Sequence, residues 1–82
     1  MMSLTLDELK LGETAVVTRL LATGTNRRRL MDLGILPGTQ LVAELKSPLG
    51  DPLAYRVRDA LVALRNEQAR QIEIERMEGK QS

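Results

Sequence analysis

Hydrophobic and polar residues alternate with period two along three stretches of the chain. Leu41, Ala43 and Leu45 interleave with Val42, Glu44 and Lys46. Leu53, Tyr55 and Val57 interleave with Ala54, Arg56 and Arg58, and Ile72 and Ile74 with Glu73 and Glu75. Successive side chains of a strand point to opposite faces, so each stretch predicts a strand. Thr14 to Leu20, rich in β-branched residues, and Leu61 to Arg65 read as two more. The connections carry their own signals. Leu36-Pro37-Gly38-Thr39 has Pro and Gly where a type II turn needs them. Ser47 to Pro52 breaks the second strand, Asp59-Ala60 is a tight connection, and Asn66 to Ala69 fits a single capped turn.

Helical spacing occurs twice. Leu6 and Leu9 suit one turn between Thr5 and Lys10, and Thr5 followed by Glu8 resembles a capping box. The longer helix is expected over Arg27 to Leu33, capped by Thr25 or Asn26 and ended by Gly34 in a left-handed conformation. Leu30 and Leu33 fall on one stripe, with Met31 flanking and Ile35 placed to fold back onto it. Asp32, four residues after Arg28, is expected to pair with it on the solvent side. The pattern as a whole is mostly β. It describes a small, partly open, five-stranded barrel with one short α-helix inserted after the first strand. Residues 1–82 form one domain with a core of about 5–77, since so short a chain closes a single core.

Composition narrows the function by what is missing. The chain has no His and no Cys, which removes disulfides, Cys/His zinc sites, thiol nucleophiles and imidazole acid–base chemistry. Tyr55 is the only aromatic residue, which disfavours base stacking and Pro-rich peptide grooves. Lys and Arg number 12 against 11 Asp and Glu, so a net charge of +1 provides no global field for a polyanion. No glycine-rich phosphate loop occurs. Ser3, Ser47 and Ser82 have no histidine to activate them, and Lys10, Lys46 and Lys80 occupy surface-like positions. No catalytic site and no cofactor are expected. No apolar run approaches the ~18 residues of a membrane helix. The start, Met1 to Glu8, is acidic where a signal peptide is basic. The chain therefore reads as cytoplasmic.

The string Arg28-Arg29-Leu30-Met31-Asp32-Leu33-Gly34-Ile35-Leu36-Pro37-Gly38-Thr39, then Ser47-Pro48-Leu49-Gly50-Asp51-Pro52-Leu53, then Leu61-Val62-Ala63-Leu64-Arg65, resembles the ferrous iron transport protein A (FeoA) family. The resemblance runs from about Thr14 to Met77 and departs at Asp59-Ala60, where relatives often carry Gly. It implies an SH3-like barrel, the same barrel that ends iron-dependent repressors. No helix-turn-helix domain fits in these residues, so a complete repressor is excluded. It also implies a non-enzymatic accessory of the membrane ferrous iron transporter FeoB, which carries a GTP-binding region. The location implied is cytoplasmic, peripheral to the inner membrane through that partner.

Several constellations carry candidate chemistry. Arg27-Arg28-Arg29 suits contact with an acidic protein surface, or an arginine finger activating the partner's GTP hydrolysis. Successive helical residues lie ~100° apart, so the three side chains fan out rather than converge. Arg56, Arg58 and Arg65 are the candidates for an alternative reading as a nucleic-acid or regulatory binding module. The plainer alternative is an outer barrel face of long charged side chains. Glu73 and Glu75 share a strand face and are the candidates for weak divalent-ion binding, against a solvated edge. The large apolar residues Leu30, Met31, Leu33, Ile35 and Leu36 exceed what one side of a short helix buries. Met31 and Leu36 are expected to be the exposed remainder. Leu49 stands at the tip of a Pro/Gly-shaped loop suited to recognition. The expected docking residues are Arg28, Arg29, Met31, Leu36 and Leu49. Weak self-association through strand edges is a further expectation.

Overall fold

The computed structural model describes residues 4–77. The statements about Ser3, Lys80 and Ser82 fall outside that range. Six strands form one antiparallel sheet: β1 (Leu4–Thr5), β2 (Thr14–Leu20), β3 (Gln40–Lys46), β4 (Leu53–Val57), β5 (Ala60–Leu64) and β6 (Ile72–Arg76), in the order β1-β6-β2-β3-β4-β5. Helix α1 spans Gly24–Asp32 between β2 and β3, and α2 spans Asn66–Ala69 between β5 and β6. The five expected strands are all present. The sixth is the two-residue β1, which pairs Leu4 with Ile74 and Thr5 with Glu73. It is too short for its own periodicity to announce it. A 3-10 turn, Leu6–Glu8, follows it. The expected capping interaction is there: the Thr5 N–H donates to Glu8 Oε2 at 2.9 Å, and the Thr5 hydroxyl bonds Asp7. The Thr5 hydrogen bonds hold the Glu8 carboxyl below the usual carboxylate range.

Two irregularities bend the sheet around its core. The register of β2 against β6 shifts between Val17 and Arg19, and that of β3 against β4 between Ala43 and Leu45. An extra residue kinks a strand and raises its twist. It also reverses the inside–outside alternation beyond it. Leu41 and Ala43 are buried, but the bulge at Glu44 turns Leu45 outward, where it is 56% exposed. Leu45 thus leaves the face on which strict alternation places it. In β4 and β6 the alternation holds: Leu53, Tyr55, Val57, Ile72 and Ile74 are all buried.

The helix begins earlier than Arg27. The Arg27 N–H donates to the Thr23 carbonyl at 3.4 Å, and Gly24 takes a φ of 59°, so the chain turns into the helix at Gly24. Neither Thr25 nor Asn26 is the cap; Thr23 holds that position, with no side-chain capping bond. The far end follows the expected motif. The Gly34 N–H donates to Met31 O at 2.9 Å and the Ile35 N–H to Leu30 O at 3.0 Å, with Gly34 at φ 91°. These two bonds close the helix in the Schellman arrangement. Leu30 is the only buried residue of the helix, and Ile35 buries beside it in the core. Leu33 is exposed, not on the buried stripe, because the helix has ended and Ile35 takes the inner place. The turn Leu36–Thr39 then closes through Thr39 N–H to Leu36 O at 2.9 Å. The buried Thr39 hydroxyl donates to Gly34 O and accepts from the Leu36 N–H, each at 3.2 Å.

The second hairpin turn is Arg58-Asp59, one residue earlier than expected, since Val57 pairs with Ala60. Arg58 has a φ of 59° there. No helix of the described residues is long and apolar enough to cross a membrane.

Candidate docking surface

The structure separates charges that the sequence places side by side. Among the described residues the ion pairs are Arg19–Glu73 at 3.3 Å, Arg56–Glu44 at 2.6 Å and Arg76–Glu13 at 3.5 Å. The expected Arg28–Asp32 pair is not among them. Both residues are exposed, where such a pair gains too little to fix the long Arg28 side chain. Among the described residues, Arg27, Arg28 and Arg29 have no carboxylate within ion-pair distance. They fan apart as the helical period requires. Arg27 and Arg28 border a depression with Met31 and Asp32, whereas Arg29 faces a groove shared with Arg65.

This division also breaks up the arginine set of the nucleic-acid reading. Arg56 is held by Glu44 through two hydrogen bonds, at 2.6 and 3.1 Å. That contact keeps Glu44 ionised below the ordinary carboxylate range and raises Arg56 further. Arg58 sits in the β4–β5 turn, not on the strand. Arg65 lies across from Arg29, away from the shallow depression that Arg56 and Arg58 border. The three arginines form no common face.

The carboxylates Glu73 and Glu75 alternate with buried Ile72 and Ile74, as the pattern requires. Glu73 is engaged by Arg19, through the ion pair and a 3.5 Å hydrogen bond. Among the described residues no group of three or more Asp or Glu side chains converges to hold a metal ion.

The apolar candidates are exposed where expected. Met31 is 40%, Leu36 37% and Leu49 93% exposed. Leu33 joins the first two, and sequence reasoning placed it in the core. Met31, Leu33 and Leu36 follow one another through the helix end and the turn after it, next to Arg27 and Arg28. Leu49 is not with them. Leu36 precedes the first residue of β3 and Leu49 follows its last, and seven residues of strand separate the two sites by roughly 20 Å. The loop bearing Leu49 is well tied, by Gly50 N–H to Ser47 O at 2.8 Å and by Asp51 to α2. The outward Leu45 of β3, whose signal was hidden by the bulge, is a further exposed apolar side chain at that end.

A small barrel of curled antiparallel strands, with a surface helix between its first long strands, is an SH3-like domain. The family model of the FeoA domain matches residues 4–76, and the chain belongs to that family. An "Fe(2+) transport protein A/Fe(2+) transporter FeoB fusion protein" of Porphyromonas gingivalis (strain ATCC BAA-308 / W83) is 39% identical over 70 residues. The match covers 85% of this chain and 8% of that one, so the chain spans a small fraction of its relative's length. The solution structure of a FeoA-like protein from Clostridium acetobutylicum superposes with a TM-score of 0.88 at 30% identity, covering 100% of this chain and 95% of the other. Stenotrophomonas maltophilia FeoA, described as a prokaryotic SH3 domain protein and complexed with zinc, superposes at 0.77 with 33% identity, over 88% and 89% of the two chains.

Proposed function

We propose that this chain is a non-enzymatic accessory of ferrous iron uptake, which docks on the cytoplasmic, GTP-binding part of a FeoB transporter. Its place is then cytoplasmic and peripheral to the membrane through that partner. The observation that carries the reading is the Porphyromonas gingivalis fusion, in which a relative of this domain and a FeoB transporter share one polypeptide. Covalent linkage holds two domains at a high effective concentration, and a separate chain must replace that linkage with its own binding. The docking face is the end of α1 with the turn beyond it, where Arg28, Met31 and Leu36, joined by Leu33, combine charge with exposed apolar area. Arg29 extends it to the side of the helix, and Leu49 marks a separate second contact. Binding one conformation of the transporter more tightly than another is sufficient to regulate it.

The test is capture of the transporter's cytoplasmic region by the immobilised chain, nucleotide-free and with GDP or GTP. Wild type is expected to retain it, and Met31→Ser/Leu36→Ser to lose it while keeping the same melting temperature. No retention in any nucleotide state overturns the proposal. Measuring GTP hydrolysis in the same samples decides the arginine-finger reading: acceleration lost in Arg28→Ala supports it, and an unchanged rate with wild type removes it.

A further inference from the structure

A groove of about 390 Å³ separates α1 from α2. Asn26 and Arg29 line it from one side, Arg65, Gln68 and Gln71 from the other, with Leu30 beneath. Hydrogen-bond donors dominate this lining. Neither Arg29 nor Arg65 has a carboxylate within ion-pair distance among the described residues. The Arg65 backbone N–H donates to Gln68 Oε1 at 2.9 Å, which occupies the acceptor end of that amide and leaves its NH2 group to donate. Glu67 is the one carboxylate of the groove.

The charge balance selects the occupant. Covering two guanidinium groups with an apolar surface strips their water and returns nothing, at a cost that grows with burial. A surface bearing carboxylates returns charge-assisted hydrogen bonds, since a guanidinium fork can pair bidentately with a carboxylate. Arg29 joins the groove to the docking face of α1, which suits the side chains of a segment of that same protein partner.

We propose that the groove seats an acidic segment of a protein partner, with two carboxylate side chains paired to Arg29 and Arg65 and flanking amides fixing their orientation. The proposal deepens the docking reading and rests on it only for the identity of the partner.

The experiment titrates the isotope-labelled full chain with three probes: a helical peptide carrying Glu at i and i+4 positions, its Gln-for-Glu counterpart, and inorganic phosphate. The Glu peptide is expected to shift the side-chain resonances of Arg29, Arg65, Gln68 and Gln71, and the Gln peptide to leave them in place. Arg29→Gln/Arg65→Gln should weaken binding about tenfold or more, Arg27→Gln should not, and Glu67→Gln should tighten it. Equal binding of the Gln peptide, or equal loss in Arg27→Gln, overturns the proposal. So does saturation of the same resonances by phosphate at comparable affinity, which would make the groove a free-anion site. The transporter's cytoplasmic region serves as a separate arm. Its undiminished capture by Arg29→Gln/Arg65→Gln overturns the groove assignment and leaves docking standing. The expected peptide titration without any capture overturns docking and leaves the groove standing.

Discussion

Asp51 Oδ1 accepts the backbone N–H of Asn66 at 2.9 Å, fifteen residues away in sequence. The bond ties the β3–β4 loop to the first residue of α2 and satisfies one of the N–H groups that a helix start leaves unpaired. Asp51→Ala should therefore cost about 1 kcal/mol. For a domain of this size that is a fall of ~4–8 °C in melting temperature. Thermal unfolding checks it, and an unchanged melt would show that the bond does not hold the loop.

Leu30 is the single side chain anchoring α1, so it should dominate the stability of the helix. Leu30→Ala is expected to cost about 2–4 kcal/mol. Leu33→Ala, three residues on and exposed, should stay within about 0.5 kcal/mol. Urea unfolding of the two variants compares them directly. Equal losses would place Leu33 in the core after all.

Two positive-φ positions predict opposite signs. At Gly34, with φ 91°, an added Cβ meets nothing closer than Val57 Cγ1 at 3.8 Å, so the penalty is conformational rather than a clash. Gly34→Ala should cost about 1 kcal/mol. Arg58, with φ 59°, already bears that strain in its turn. Arg58→Gly should relieve it and raise stability by about 0.5 kcal/mol, the relief being partly offset by a freer unfolded chain. Destabilisation by Arg58→Gly would mean its side chain makes a contact that outweighs the strain.

Tyr55 supplies a pH prediction. Its hydroxyl is buried without a hydrogen-bond partner among the described residues, and burial, assisted by the charges of Asp7 and Asp51, pushes its pKa from 10.0 up to about 12. The folded chain keeps the neutral phenol while the unfolded chain releases the proton first. Stability should thus be unaffected below pH 10 and fall as pH rises from 10 to about 12. As the only tyrosine, Tyr55 reports alone in a tyrosinate absorbance titration. A folded-state midpoint near 10 would contradict this, and Tyr55→Phe should remove its share of the alkaline loss.

The barrel was legible in the chain to an unusual depth because its signals are local. The turn at Pro37-Gly38, the Gly34 helix stop with Ile35 folding back, the Thr5–Glu8 cap and the alternation of β4 and β6 each depend on a few neighbouring residues and their allowed dihedrals. The exposed Met31 and Leu36 followed from the same local count of apolar residues against one short helix.

What the chain alone did not determine lies wherever distant segments meet. Strict alternation sends Leu45 inward, but curling the sheet around its core puts a bulge at Glu44 and turns Leu45 to solvent. Arg56 and Arg65 look alike in sequence, yet one is taken by Glu44 and the other faces Arg29 across a groove. Leu49 and Leu36 both read as docking residues, yet a full strand holds them apart. Dihedral preferences act within a few bonds of one residue, so sequence spacing reveals them. Sheet curvature and charge pairing arise between segments far apart along the chain, and only the folded barrel sets those distances.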